Sequence, residues 1–218
     1  MTRPRQLNLP LPARELRGRE DFFIADSNRA ALEAIDRWPD WPGGMLAIVG
    51  PEGAGKTHLA HLHAARAGAG VWPAAAPHLV IEDADRLTGQ ADAEEALFHA
   101  FNRAAGEGGT ILFTARTPMA GWPVALPDLR TRLNTVVAVD LTAPDDDLLR
   151  AVLMKQFADR QIDLGRAGDV TAWLLPRMDR SLAEARRLVE LLDARSLSEK
   201  RRIDARLAAE ILNPPLDL

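Results

Sequence analysis

The stretch Gly50-Pro-Glu-Gly-Ala-Gly-Lys-Thr57 decides the fold. It has the spacing G-x-x-x-x-G-K-[ST], follows the apolar run Met45–Val49 and precedes the helix-like run His58–Ala67. Strand, glycine-rich turn and helix, in that order, form the context in which this motif cradles phosphate. Gly50, Gly53 and Gly55 let the backbone fold tightly with its N–H groups turned inward, and the start of the next helix adds its positive end. Pro51, Glu52, Ala54 and His58 complete the loop and its exit. Lys56 is placed to reach β- and γ-phosphates, and the Thr57 hydroxyl to hold Mg²⁺. The chain is expected to bind a nucleoside di- or triphosphate.

Downstream, His78-Leu-Val-Ile-Glu-Asp-Ala-Asp85 reads as a buried parallel strand with two carboxylates, Glu82 and Asp83, at its C-terminal end. Ligands of open α/β sheets bind at that edge, where magnesium needs a hard oxygen ligand and hydrolysis needs a carboxylate to orient water. Asp85 is expected to cap the following turn. Ala91–Ala105 is helical, with Leu97, Phe98 and Phe101 on one face. Thr110–Ala115 is the next strand, ending in Thr114, which can touch a γ-phosphate or the attacking water, with Arg116 close behind. In Asp128-Leu-Arg-Thr-Arg-Leu133 the two arginines, Arg130 and Arg132, lie two apart and diverge on a short helix; a strand follows at Thr135–Val139. Upstream, Ser27 is the expected N-cap of a helix, and Phe22 to Asn28 can border a base, with Phe23 and Asn28 as the contacts.

The character changes near residue 141. Thr142 reads as a helix N-cap with Pro144 in the first turn, and helices are expected over 144–160, 168–175, 181–195 and 204–212. Ser181-Leu-Ala-Glu184 is a capping box. The expected fold is thus α/β, a P-loop core with a parallel sheet over residues 20–140, followed by a small all-helical lid over 141–218. The lid is expected to end at Pro214 and Pro215, with no room for a further domain. The absence of cysteine excludes disulfides and thiolate metal sites, and no apolar run reaches membrane-spanning length, so a cytoplasmic protein with no membrane partner is expected. A net charge of −4 argues against a surface that coats DNA.

Residues 1–19 form an extended leader with Pro4, Pro10 and Pro12, which resist helix and central strand alike. Within it, Gln6-Leu-Asn-Leu-Pro-Leu11 alternates leucine with other residues; it can pack on its own domain or dock in a groove on another protein.

The order GPEGAGKT, LVIEDAD, LFTARTP, PDLRTRL and then a helical lid resembles the AAA+ ATPases, in particular the DnaA replication-initiator branch and its Hda-type regulatory inactivators. The resemblance covers nearly the whole chain and implies ADP or ATP, with Mg²⁺, as cofactors. It makes Gly50–Thr57 the Walker A loop, Glu82-Asp83 the Walker B pair, Thr114 sensor 1, and Arg132 the arginine finger that completes a neighbouring subunit's nucleotide site. It also implies that Gln6, Leu7, Leu9, Pro10 and Leu11 bind the DNA polymerase III β sliding clamp loaded on DNA, with the initiator DnaA as the second partner and a homodimer admitted.

Three departures stand out. Glu82 takes the metal position where initiators commonly carry Asp, leaving Asp83 on the water side. An ungapped reading puts Ala183 at the lid arginine called sensor 2, while a register change would give that nucleotide-binding role to Arg180, one turn before, or Arg186, one turn after. No helix-turn-helix follows the lid, so direct sequence-specific DNA binding is not expected. The function implied is a regulator that stimulates the initiator's ATPase through Arg132. An autonomous ATPase for loading or remodelling, and a non-catalytic adaptor at the origin, are the alternatives.

Overall fold

The computed structural model describes residues 23–213, apart from the side chains of 164–168. The leader peptide Gln6–Leu11 and Phe22 lie outside the described residues. Five parallel strands, β1 (Met45–Val49), β2 (Gly70–Val71), β3 (Leu79–Ile81), β4 (Ile111–Ala115) and β5 (Val137–Asp140), form one sheet in the order β2-β3-β4-β1-β5. Four helices flank it: α1 (Asp26–Asp36), α2 (Lys56–Ala67), α3 (Ala91–Glu107) and α4 (Pro127–Leu133).

The period-two alternation of a strand sorts its side chains to two faces. Met45, Ala47 and Val49 of β1 join Phe113 of β4 and Leu97 and Phe101 of α3 in one core, while Leu46 and Ile48 join Leu32, Leu59 and Ala60 of α1 and α2 in another. Both faces being covered explains why these strands read as unbroken apolar runs. β4 lies between β1 and β3, in register with both (Ile48 opposite Thr114, Ile81 opposite Phe113). The end of β4 is therefore wedged between the glycine-rich loop and the carboxylate pair.

The lid consists of α5 (Asp146–Asp159), α6 (Leu164–Leu174), α7 (Leu182–Glu199) and α8 (Ala205–Leu212). It has its own core, centred on Leu149, Leu153, Phe157, Leu174, Leu188, Leu192 and Leu207. Parallel sheet with flanking helices and a helical lid is the expected fold class.

Several boundaries depart from the sequence reading. β5 runs 137–140 rather than 135–139, α6 begins four residues earlier than expected, and α7 extends to Glu199. Neither Ser27 nor Thr142 is an N-cap. The first helix is capped at Ala25, whose N–H is taken by the Asn28 side chain, and α5 is capped by Asp145, whose carboxylate accepts from Leu148 N at 2.8 Å; Pro144 thus precedes the cap. Ser27 and Thr142 instead meet each other: the Thr142 hydroxyl donates to Ser27 O at 3.3 Å, and Ser27 N donates to Asp145 at 3.3 Å. These bonds stitch the start of α1 to the base of the lid. Burial alone would raise the Asp145 pKa, but the N–H bonds and the nearby Arg180 charge hold it below the ordinary value. Ser181 does cap α7, accepting from Glu184 N at 3.3 Å.

Candidate nucleotide site

The loop from Gly50 to Gly55 joins β1 to α2, and its glycines are required by close approach as well as by backbone conformation. Gly50 N donates to Ala115 O at 3.1 Å, and a Cβ on Gly50 would lie 2.1 Å from Leu141 O. Gly53 (φ +75°) and Gly55 (φ +107°) occupy the region that L side chains avoid. Ala54 is buried behind the loop, whereas Pro51, Glu52 and Thr57 are exposed and His58 is half-buried.

Lys56 opens α2 and is only 7% exposed. Its Nζ donates to Gly50 O at 2.6 Å and Pro51 O at 2.8 Å. An ammonium has three N–H donors, so one is unused, and no carboxylate among the described residues ion-pairs with it. Desolvation lowers its pKa, only partly countered by Asp83. A buried cation with a free donor, in a loop whose glycines permit no side chains, fits a phosphate group.

Glu82 and Asp83 do not point the same way. Val80 faces α1 and α2, and Glu82, two residues on, follows it: its Oε1 lies 3.2 Å from His61 Nε2 of α2. His61 is one helical turn beyond Thr57 and shares its face of α2, so this contact sets the Glu82 carboxylate beside the expected cation ligand. Asp83 turns away through a left-handed backbone (φ 47°), held by its N–H donating to the Thr114 hydroxyl at 3.1 Å. Its carboxylate reaches Arg86 at 3.6 Å, and its charge is the strongest one favouring the Lys56 ammonium. Thr114 is fully buried. Asp85 does not cap its own turn; its Oδ2 accepts from Arg116 N at 3.1 Å and lies 3.4 Å from the Thr117 hydroxyl, tying the turn after β3 to the end of β4. No cluster of three or more metal-ligating side chains exists among the described residues. Magnesium, which takes one or two carboxylates and fills its octahedron with phosphate oxygens and water, fits Thr57 and Glu82 on those terms.

The lid reaches the loop directly. Leu182 N donates to Gly53 O at 2.9 Å, and a Cβ on Gly53 would fall 2.1 Å from Ser181 Oγ. Ala183 and Arg186 are exposed one and four residues beyond this contact. Arg180 turns from the loop to Asp146 at 3.0 Å and Pro144 O at 3.3 Å. On the base side, Phe23 is exposed, while Asn28 is buried with both ends of its amide in use: Nδ2 donates to Phe23 O at 2.8 Å and Oδ1 accepts from Ala25 N at 2.9 Å. Asn28 thus shapes the segment beside the expected base rather than offering a spare donor.

Arg130 and Arg132 diverge. Arg130 donates to Val124 O, and the Arg132 guanidinium sits 5.1 Å from the centroid of Phe98. Phe98 therefore leaves the expected core face of α3 and serves as a platform in an apolar recess shared with Ala125 and Leu126. The loop entering α4 is pinned by Glu94, 1% exposed, whose carboxylate accepts from Gly89 N, Ala125 N and Leu126 N. Burial would raise its pKa, yet these bonds and Arg130 bring it below the ordinary value. Glu94, His61 and Ser181 went unrecognised as site-shaping residues. Only Ser181 carried a local signal, its capping box, and that signal says nothing about the loop it touches.

No family model matches the chain. The chromosomal replication initiator protein DnaA of Thermomicrobium roseum is 26% identical over 264 residues, covering 98% of this chain and 56% of that protein. The chain therefore spans about half the length of the curated relative it matches. Domain III of the Thermotoga maritima replication initiation protein DnaA superposes with a TM-score of 0.71 at 19% identity, over 88% of this chain and 93% of that one. AMPPCP-bound DnaA from Aquifex aeolicus superposes at 0.67 with 17% identity, over 82% of this chain and 65% of that one. The fold is that of an AAA+ P-loop module. AAA+ folds in general hold a nucleotide and Mg²⁺, the groups that the glycine-rich loop and Glu82 fit here. No helix of the AAA+ module, among the described residues, is long and apolar enough to cross a membrane.

Proposed function

We propose that this AAA+ module regulates the initiation of chromosome replication by promoting hydrolysis of ATP held by the initiator DnaA. In this reading Gly50–Thr57 with Glu82 holds ADP or ATP and Mg²⁺, which sets the module's conformation. Gln6–Leu11 anchors it to the sliding clamp on DNA, and Arg132 is presented to the nucleotide of the docked initiator.

The observation that carries the reading is the mounting of Arg132. It sits half-exposed on a short helix, over the Phe98 ring and without a carboxylate partner among the described residues. Its helix is fixed from behind by the Glu94 carboxylate. A guanidinium held by an aromatic face rather than by an opposite charge keeps its full charge for an anion brought by another molecule. At a transferring phosphoryl group such a cation accelerates hydrolysis by about 10³–10⁵-fold. The likeness to DnaA over 98% of the chain supports an initiator-like surface as the partner.

The test is hydrolysis of DnaA-bound ATP in the presence of clamp-loaded DNA. The unaltered protein accelerates turnover, and Arg132→Ala and Gln6→Ala each remove the acceleration. If Arg132→Ala works as well as the unaltered protein, the finger role is wrong and the module acts by contact alone.

A further inference from the structure

Arg116 stands two residues beyond Thr114, at the point where β4 leaves the sheet. Its backbone is fixed: its N–H donates to Asp85 Oδ2 at 3.1 Å, and the same oxygen is 3.4 Å from the Thr117 hydroxyl. Its side chain crosses to the glycine-rich loop, where Nη1 lies 2.6 Å from Glu52 Oε2. The two partners are unequally placed. The Glu52 side chain is 75% exposed, whereas that of Arg116 is 33% exposed, and its Nε is buried with no hydrogen-bond partner. A guanidinium offers five donors in a planar fork that matches carboxylate or phosphate two bonds at a time. Here one arm meets an exposed surface carboxylate and a buried donor beside it is unsatisfied, which is a costly arrangement.

The surroundings show what would complete it. Lys56 holds its ammonium under the same loop with one donor unused, and the Arg116 charge disfavours that ammonium. Two cations converge on one short loop: Lys56 has no carboxylate in ion-pairing range among the described residues, and Arg116 has only the exposed Glu52. An anion between them offsets the repulsion, taking up the free Lys56 donor and the solvent-facing nitrogens of the guanidinium. The loop's start, Gly50 and Pro51, binds the Lys56 ammonium, and Arg116 arrives at the next residue, Glu52. The anion lies at the Lys56 tip, where the outermost phosphate of the nucleotide is held.

We propose that Arg116 is a ligand of the terminal phosphate of a bound nucleoside triphosphate, kept in reserve by Glu52 until that phosphate arrives. The guanidinium exchanges the Glu52 carboxylate for the γ-phosphate and supplies, from the sheet edge, a cation that Ala183 cannot supply from the lid. The module thereby distinguishes tri- from diphosphate within its own chain. This inference rests on Gly50–Thr57 being a nucleotide site.

Calorimetric titration of the full chain with ADP and with AMPPCP, each with Mg²⁺, tests it, using the unaltered protein and the variants Arg116→Ala, Arg116→Lys and Glu52→Gln. Arg116→Ala weakens AMPPCP by about 10-fold or more and ADP by less than about 2-fold, the range expected for losing a charged hydrogen bond to one phosphate. Arg116→Lys restores part of the loss, because a point charge replaces a fork. Glu52→Gln tightens AMPPCP by removing the competing carboxylate. Equal losses for both nucleotides together with a lowered melting temperature would make Arg116 a structural strut and overturn the proposal. So would unchanged affinities for both. If the unaltered protein binds neither nucleotide, the failure lies in the nucleotide-site reading itself, and this inference goes with it.

Discussion

The lid and the nucleotide edge of the sheet are both rich in charge, and they use it in opposite ways. In the lid, Arg187 forks onto Glu184 through two bonds of 2.7 Å, Arg195 meets Glu199, and Arg201 meets both Glu199 and Glu210. These cations are held by carboxylates on the same helix or the next one, though Arg177, over the Trp173 ring at 4.5 Å, is an exception. At the sheet edge Lys56 leans on two carbonyls and Arg116 on one exposed carboxylate, and on α4 of the same domain Arg132 lies over an aromatic ring. Paired charge decorates a structure, whereas charge with unused donors awaits a ligand.

The largest effect that separates the two regions is expected at Lys56. Lys56→Ala weakens ADP by about 100-fold, since the charge-assisted phosphate bond from its free donor is lost, as titration calorimetry will show. The melting temperature of the empty protein stays the same or rises, because desolvation already disfavours the ammonium. A collapse of the fold in this variant would erase the distinction between ligand-directed and structural charge.

Acid sharpens the comparison next. His63, 1% exposed, lies against Trp41 at 4.8 Å between ring centroids and has a pKa lowered to about 4, chiefly by burial and then by Arg66 and His78. The unfolded chain takes up this proton near the ordinary value of about 6.5, the folded one only near 4. Stability from His63 is thus complete above pH 6.5, falls as pH drops toward 4, and levels off below; the interval corresponds to roughly 3 kcal/mol. Denaturant melts across this range show that slope, and His63→Gln flattens it. Glu94 acts in a lower window: its depressed pKa gives stability that is present above the ordinary carboxylate value and lost as pH falls through its folded one.

A smaller effect belongs to the seam between the regions. Gly53→Ala places a methyl on Ser181 Oγ at a positive φ, and nucleotide affinity drops by about 10-fold. Ser181→Gly in the same chain relieves the clash while keeping an acceptable cap, so binding recovers in part. No recovery would mean that the backbone angle alone, and not the lid, is responsible. The smallest change is in the lid itself. Arg187→Ala moves the melting temperature by about 1–2 °C, an effect that salt abolishes, because its bonds are largely exposed.

The sequence announced these regions unevenly. The glycine-rich loop, the unbroken apolar strands and the helical lid all rest on short-range patterns, and each lies where its pattern indicates. Ser181 capped α7 as its local spacing predicted. Ser27 and Thr142 failed as caps for a shared reason: each has a distant partner, and the two bind each other across 115 residues. Asp85 behaved likewise, giving up its own turn for Arg116 just past the next strand. The Glu94 carboxylate, the His61–Glu82 contact and the Arg116–Glu52 contact are long-range as well, so no window of local sequence reveals them. Phe98 shares its helical period with a core face but lies at its margin, and only the approach of α4 makes it a seat for Arg132.

The placement of β4 between β1 and β3 also sets an order of events during synthesis. Residues 50–57 and 82–83 leave the ribosome well before residues 111–115, yet β1 and β3 have no bond to each other without the strand between them. The growing chain therefore carries two separate halves of a binding site until β4 emerges and slides in. Nucleotide can neither reward nor guide folding before that moment, and a chain stalled short of residue 115 exposes two apolar strand edges with nothing to pair them.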